Sequence, residues 1–213
     1  MDLILLLVDF ILHFDEHLRQ IILNYGTLTY LFLFLIIFCE TGLVVTPFLP
    51  GDSLLFAAGA FAAAGSLEVG LLFALLFAAA VLGDSCNYGI GRTLGQRVTD
   101  SNVIKSEHIE KTHRYFEKYG GKTLIIARFA PFLRTFAPFV AGVGRMTYRR
   151  FLSFSLAGGF LWIGLFTFGG YFFGNLPVIK ENFKLIILGV IVVSLLPSVI
   201  ELLRHRLKPV KTP

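Results

Sequence analysis

The run FLSFSLAGGFLWIGLFTFGGYFFG, residues 151–174, contains no charged side chain over 24 positions. A helix rises about 1.5 Å per residue, so the run can cross a hydrocarbon core of roughly 30 Å. Two further segments have the same character. FKLIILGVIVVSLLPSVIELL (183–203) is nearly uninterrupted, and EVGLLFALLFAAAVLGDSCNYGIG (68–91) carries Asp84 as its one internal charge. With 55% hydrophobic and 15% charged residues in a chain of 213, these runs describe a multi-pass integral membrane protein with about three full transmembrane helices. The opening MDLILLLVDF has Asp2 and Asp9 where a cleavable leader would carry Lys or Arg, so the N-terminus is expected to be retained. Cys39 and Cys86 share no metal-ligand spacing and read as small packing residues.

The net charge of +5 does not point to nucleic acid, because the basic residues cluster beside the apolar runs. They gather in 92–122, at Arg145, Arg149 and Arg150, and in the tail from Arg204 to Lys211. If 123–144 enters and leaves the bilayer on one face, all three clusters share a side, which the positive-inside rule makes cytoplasmic. The C-terminal tail 204–213 is then a cytoplasmic anchor. Residues 1–26, with four acids against Arg19, belong to the opposite interface as an amphipathic helix.

Compared with itself, the chain echoes TPFLPG (46–51) in APFVAG (137–142), and GRTLG (91–95) in GYFFG (170–174). The echoes suggest one membrane domain built from a repeat over about 1–95 and another over about 103–174, with an extra helix at 183–203. Two such units on opposite faces form an inverted repeat, an architecture of transporters with a midplane site. Thr123 to Gly144 is too short for two crossings and too broken for one, since it holds Pro131, Pro138 and two arginines. It should be a re-entrant hairpin, with Gly142 near its end. Pro47, Pro50 and Gly51 would break a first hairpin entering from the other face, although Gln20 to Cys39 is also long enough for an ordinary span. Irregular backbone at that depth is tolerated only in protein or beside a watery cavity.

The hairpins carry four charges at membrane depth: Glu40 and Asp52 in the first, Arg128 and Arg134 in the second. One ionised group at the bilayer centre costs about 2.5–3.5 kcal/mol, so such groups pair and mark pathways. Salt bridges that merely fix hairpin to hairpin are the plainer alternative, and would suit a scaffold or assembly factor. Functionally, arginine offers a planar fork to phosphate oxygens, while a carboxylate in a low-dielectric site can take up a proton. The four together could exchange an anionic headgroup against a proton. Asp84 is a secondary candidate, placed near the cytoplasmic interface with Tyr88 one turn on, and Trp162 reads as core. Competing readings are proton-coupled movement of a small ion or solute, and an intramembrane enzyme such as a phosphatase or a zinc peptidase built on HFDEH (13–17). Five letters are weak support for zinc in a segment already explained as interfacial helix.

Four stretches carry a family resemblance: ETGLVVTPFLPGDSLL (40–55), GDSCNYGIGRTLG (83–95), KTHRYFEKYGGKT (111–123) and ARFAPFLRTFAPFVAG (127–142). In these the chain resembles the DedA family of bacterial inner-membrane proteins, within the wider VTT-domain superfamily. The resemblance implies two opposed re-entrant hairpins with amphipathic interfacial helices. It implies translocation of anionic lipid, undecaprenyl phosphate or a glycerophospholipid, with a link to the proton motive force. The family's acidic pair and arginine pair fall on Glu40, Asp52, Arg128 and Arg134. On this reading the chain is a transporter and not an enzyme. It needs no metal or cofactor, and its partners are anionic-headgroup lipids and protons, with homo-oligomerisation left open.

Overall fold

The computed structural model describes residues 20, 24–43, 51–100, 121–174, 176 and 189. Regular structure among the described residues is entirely helical. It comprises α1 (Leu28–Gly42), α2 (Gly51–Ala63), α3 (Val69–Asp100), α4 (121–127), α5 (Pro131–Val143) and α6 (Tyr148–Phe173). The segments 1–19 and 101–120, all of 183–203 but residue 189, the tail from 204, and Pro47 and Pro50 lie outside the described residues.

The helix ends follow local chemistry. Glu68 caps α3, its carboxylate accepting from Gly70 N at 2.9 Å and Leu71 N at 2.5 Å. Pro131 opens α5, where its missing N–H is harmless. The helices α2 and α5 end alike: Ser66 N donates to Phe61 O and Gly65 N to Ala62 O, as Met146 N does to Ala141 O and Arg145 N to Gly142 O. This closure needs a left-handed residue, supplied by Gly65 at φ +82° and by Arg145 at φ +54°. Pro138 does not break the second hairpin as the sequence suggested, because α5 runs through it. The ring removes the N–H that would reach the Arg134 carbonyl one turn back, and the helix is held instead by packing.

The contacts give the arrangement of the helices. Glu68 N donates to Tyr30 Oη at 2.6 Å and Gly42 lies against Gly83, so α1 runs parallel to α3 and stops at its middle. Asp52 meets Trp162, and Gly59 meets Thr167 and Tyr171, so α2 starts at the middle of α6 and runs parallel to its end. Since Phe73 packs on Phe168 and Tyr88 on Phe151, α3 and α6 are antiparallel. The pair α1/α2 therefore goes halfway along the long helices and returns. From the other end α4 follows α6, with Gly121 at Phe154 and Arg128 at Ser155 and Gly158, and α5 returns along α3 from Asn87 to Arg92.

The closest crossings are built on glycine. Ideal Cβ atoms on Gly59 and Gly170 would lie 2.0 Å from Thr167 O and 1.9 Å from Phe56 O, where α2 meets α6. Those on Gly142 and Gly91 would lie 2.2 Å from Tyr88 O and 2.1 Å from Phe139 O, where α5 meets α3. These crossings match FAAG (56–59) with FVAG (139–142). Gly142 thus corresponds to Gly59, a close-packing position inside a helix, rather than to the hairpin residue Gly51.

Leu33, Ile37, Leu55, Leu72, Leu76, Trp162 and Ile163 form the main core, and Tyr88, Leu124, Ala141, Met146 and Phe151 a second one. Phe160, Leu161, Leu165 and Phe172 on α6 point outward and are more than half exposed, as suits a lipid-facing surface. Val69–Leu94 and Tyr148–Phe173 are each long and apolar enough to cross a membrane.

Candidate functional site

The tips of the two helix pairs meet halfway along α3 and α6, and the charges are there. Arg134, in the first turn of α5, donates from Nη1 to Asp52 Oδ1 at 2.7 Å and from Nη2 to Glu40 Oε1. Glu40 ends α1 and Asp52 begins α2, so one guanidinium closes the mouth of the opposing pair. Arg128, at the turn between α4 and α5, donates from Nη2 to Asp84 Oδ2 and lies 3.2 Å from Ser155 Oγ. Ser155 Oγ in turn donates to Asp84 Oδ2 at 2.6 Å. All five ionisable groups are buried, with Glu40 fully so.

Trp162 connects the two ion pairs. Its ring centroid lies 4.6 Å from Arg134 Cζ and 5.9 Å from Arg128 Cζ, both within cation–π range, and its Nε1 donates to Asp52 Oδ1 at 2.8 Å. Gly158 and Gly159 lie against the Arg128 side chain, and a Cβ on Gly158 would come 3.4 Å from Arg128 Cγ, an ordinary contact distance. The donors are not exhausted, because Arg128 Nη1 and Arg134 Nε are buried without a hydrogen-bond partner, as is Glu40 Oε2. In an apolar interior an unmet polar group is expensive, so these atoms favour any polar group that can reach them.

Glu40, Asp52, Arg128 and Arg134 thus converge, but not as two acids facing two bases. Both hairpin acids share Arg134, and Arg128 takes Asp84. The sequence placed Asp84 near the interface because the apolar run was read as ending at 91, whereas α3 continues to Asp100 and leaves Asp84 at mid-helix. Nor is Tyr88 its partner: Tyr88 Oη donates to Met146 O and accepts from Arg92 Nη1. Pro131 and Gly51 begin α5 and α2, which puts them at the tips of the helix pairs.

A family description of the VTT domain matches residues 49–172, which takes in Asp52, Asp84, Arg128 and Arg134. Protein DedA of Escherichia coli strain K12 is 54% identical over 211 residues, covering 97% of this chain and 96% of its own. The chain belongs to the DedA family. Uncharacterized membrane protein ML0287 of Mycobacterium leprae is 45% identical over 168 residues, with 78% of this chain and 75% of the relative covered. Inner membrane protein YqjA of Escherichia coli strain K12 is 38% identical over 152 residues, with 70% and 69% covered. No solved structure matches. As a DedA-family member the chain is a membrane protein, in agreement with its two long apolar helices.

Sequence reasoning for this DedA-family chain missed Ser155 and Asn87. Asn87 is buried and donates to Thr41 O at 3.0 Å and Thr135 O at 2.7 Å, tying α1 and α5 to α3. An amide inside an apolar span was the available signal, since such a group must find a partner. Among the described residues no cluster of three metal-ligating side chains occurs, and HFDEH lies outside them. Asp84→Asn should remove the charge opposite Arg128 and leave a buried cation; we expect a loss of about 3 kcal/mol, read as a lowered denaturation midpoint. Ser155→Ala, which removes the hydrogen bonds to the Asp84 carboxylate and the Arg128 guanidinium, should cost about 1.5–3 kcal/mol.

Proposed function

We propose that the chain moves anionic lipid across the bacterial inner membrane, with Arg134 and Arg128 holding the headgroup phosphate and Glu40 and Asp52 serving as counter-ions that exchange protons. The observation that carries this reading is the pair of buried guanidinium groups between the two hairpin tips, each with an unmatched N–H. Phosphate and carboxylate compete for the same fork. A headgroup can occupy Arg134 only when at least one acid lets go, and protonation is what releases a carboxylate. Anion and proton binding are therefore coupled at one guanidinium.

The half-depth reach of α1/α2 from one end and of α4/α5 from the other supports two opposed re-entrant hairpins in an inverted repeat, roughly 1–95 and 103–174. The FAAG and FVAG crossings, in which each hairpin packs on the other half's long helix, support it further. Arg92, Lys122, Arg145, Arg149 and Arg150 lie at the end where α3 finishes and α6 begins, and Glu68 lies at the other. By the positive-inside rule the basic end faces the cytoplasm, and with 183–203 as a further span the tail would be cytoplasmic. The name of YqjA and the family resemblance both favour the inner membrane. Undecaprenyl phosphate and glycerophospholipids are the substrates in view, both presenting a phosphate on an apolar tail.

The test is reconstitution into liposomes with fluorescent phosphate-bearing lipid, with and without a proton gradient. Arg134→Lys and Arg128→Lys keep the charge but lose the fork, and we expect each to slow translocation at least about tenfold. Translocation unchanged in both would remove the arginines from the site. Movement of a small anion without lipid would replace lipid by solute as the cargo.

A further inference from the structure

The two hairpin acids are not equivalent, and from their surroundings we infer that Glu40 carries the exchangeable proton while Asp52, held by Trp162, remains a fixed counter-ion. The inference rests on the proposed exchange at Arg134 and assigns its proton to one side chain.

Counting charges shows that a proton is needed. Among the described residues, Glu40, Asp52 and Asp84 face Arg128 and Arg134, and the ring of Trp162 joins the two groups. Fully ionised, three carboxylates against two guanidinium groups leave one excess negative charge, buried at mid-depth. An uncompensated buried charge is the costly case, and one bound proton removes it.

Donors decide which acid takes the proton. Asp84 Oδ2 receives Arg128 and the Ser155 hydroxyl. Asp52 Oδ1 receives Arg134 Nη1 and the Trp162 indole N–H. Each has a guanidinium and a second side-chain donor, and donors stabilise the ionised form. Glu40 has the other half of the shared Arg134 fork and the Gly51 backbone amide but no second side-chain donor, and its Oε2 has no partner. It is also fully buried, whereas Asp52 is 6% exposed. The charged groups about Glu40 are Asp52 from α2 and Arg134 from α5, with Asp84 from α3 and Arg128 at the α4/α5 turn beyond them. The neighbouring part of α6 supplies Trp162 and no charge. Two carboxylates on one guanidinium resist joint ionisation, and the more completely buried one, with fewer side-chain donors, yields. When Glu40 is protonated, Arg134 Nη2 is released for an incoming oxygen while Nη1 stays on Asp52. Trp162 is thus a positioning residue, acting through Asp52.

Infrared titration of the full-length protein in lipid nanodiscs, over about pH 5 to 9, reads the carbonyl stretch of a buried protonated carboxyl group. No lipid flux is needed, so the outcome is independent of whether the cargo is lipid. With the side-chain carboxyls of glutamate labelled with a heavy carbon isotope, the titrating band should shift. With aspartate labelled instead, it should stay in place. The band should vanish in Glu40→Gln and persist in Asp52→Asn. Labelling settles the assignment in the unmodified chain if either variant fails to fold. In Trp162→Phe, which keeps an aromatic ring but loses the indole N–H, part of the titrating band should follow the aspartate label. A wild-type band that follows the aspartate label, or no buried carboxyl titrating in this range, overturns the proton assignment. A Trp162→Phe spectrum identical to wild type overturns the role of the indole.

Discussion

Arg134→Met is expected to abolish lipid translocation and to destabilise the protein by about 3–5 kcal/mol, the largest single-residue effect at the site. Two consequences combine in that figure. Removing the guanidinium leaves Glu40 and Asp52 buried without their shared cation, and the faces of α1, α2 and α5 that meet there lose the charge match it provides. The triple variant Arg134→Met, Glu40→Gln, Asp52→Asn separates structure from transport. Its Arg134 cluster is uncharged while the balanced Arg128–Asp84 pair is kept, and neutral replacement of a buried ion cluster is often neutral in stability. We expect a denaturation midpoint close to that of the wild type, with no translocation. Recovery of translocation along with stability would mean that the charges only hold the hairpins together. Failure to regain stability would place the loss in the shape of the tip rather than in its electrostatics.

The partners of Arg134 show what a sequence can and cannot reveal about such a site. That Glu40, Asp52 and Arg134 belong together was legible, because each is a charge in an apolar setting beside a proline or glycine, and lipid offers no other way to satisfy it. Which acid meets which arginine was not legible, since it depends on the depth at which two hairpins from opposite ends stop. Asp84 illustrates the difficulty. Its distance to the polar end was judged from the last residue of an apolar run, while the helix itself continues through GRTLGQRVTD. At about 1.5 Å per residue, Leu94 alone is roughly 15 Å further on, enough to bring Asp84 level with the hairpin tips. Trp162 was legible as core but not as a hydrogen-bond donor, because its direction is fixed by α2 arriving beside it. Pro138 was misleading, since proline terminates an exposed helix more readily than one clamped on a long neighbour.

The second large effect lies away from the buried ion pairs, in the glycine crossing of α3 and α5. Gly91→Leu should prevent folding, while Gly89→Ala, two residues earlier on the same helix, should be neutral or slightly stabilising. A Cβ on Gly89 meets nothing within 4 Å, so alanine there gains up to about 1 kcal/mol of helix propensity. A Cβ on Gly91 would sit 2.1 Å from the Phe139 carbonyl oxygen and 3.0 Å from Phe139 Cα, so the backbone of α5 would have to move. Gly91→Ala should cost about 1–3 kcal/mol, the usual penalty of overpacking, and leucine considerably more. Propensity predicts the same sign at both positions, so opposite shifts in thermal midpoint isolate the helix crossing. The function should follow the geometry. Asn87 ties Thr135 to the same stretch of α3, so widening the crossing draws the adjacent Arg134 away from Glu40 and Asp52. Gly91→Ala should therefore lose translocation by more than its loss of folded protein explains, measured as rate per folded molecule. If that rate is unchanged, the α3–α5 contact sets stability only, and Arg134 is positioned by its carboxylates alone.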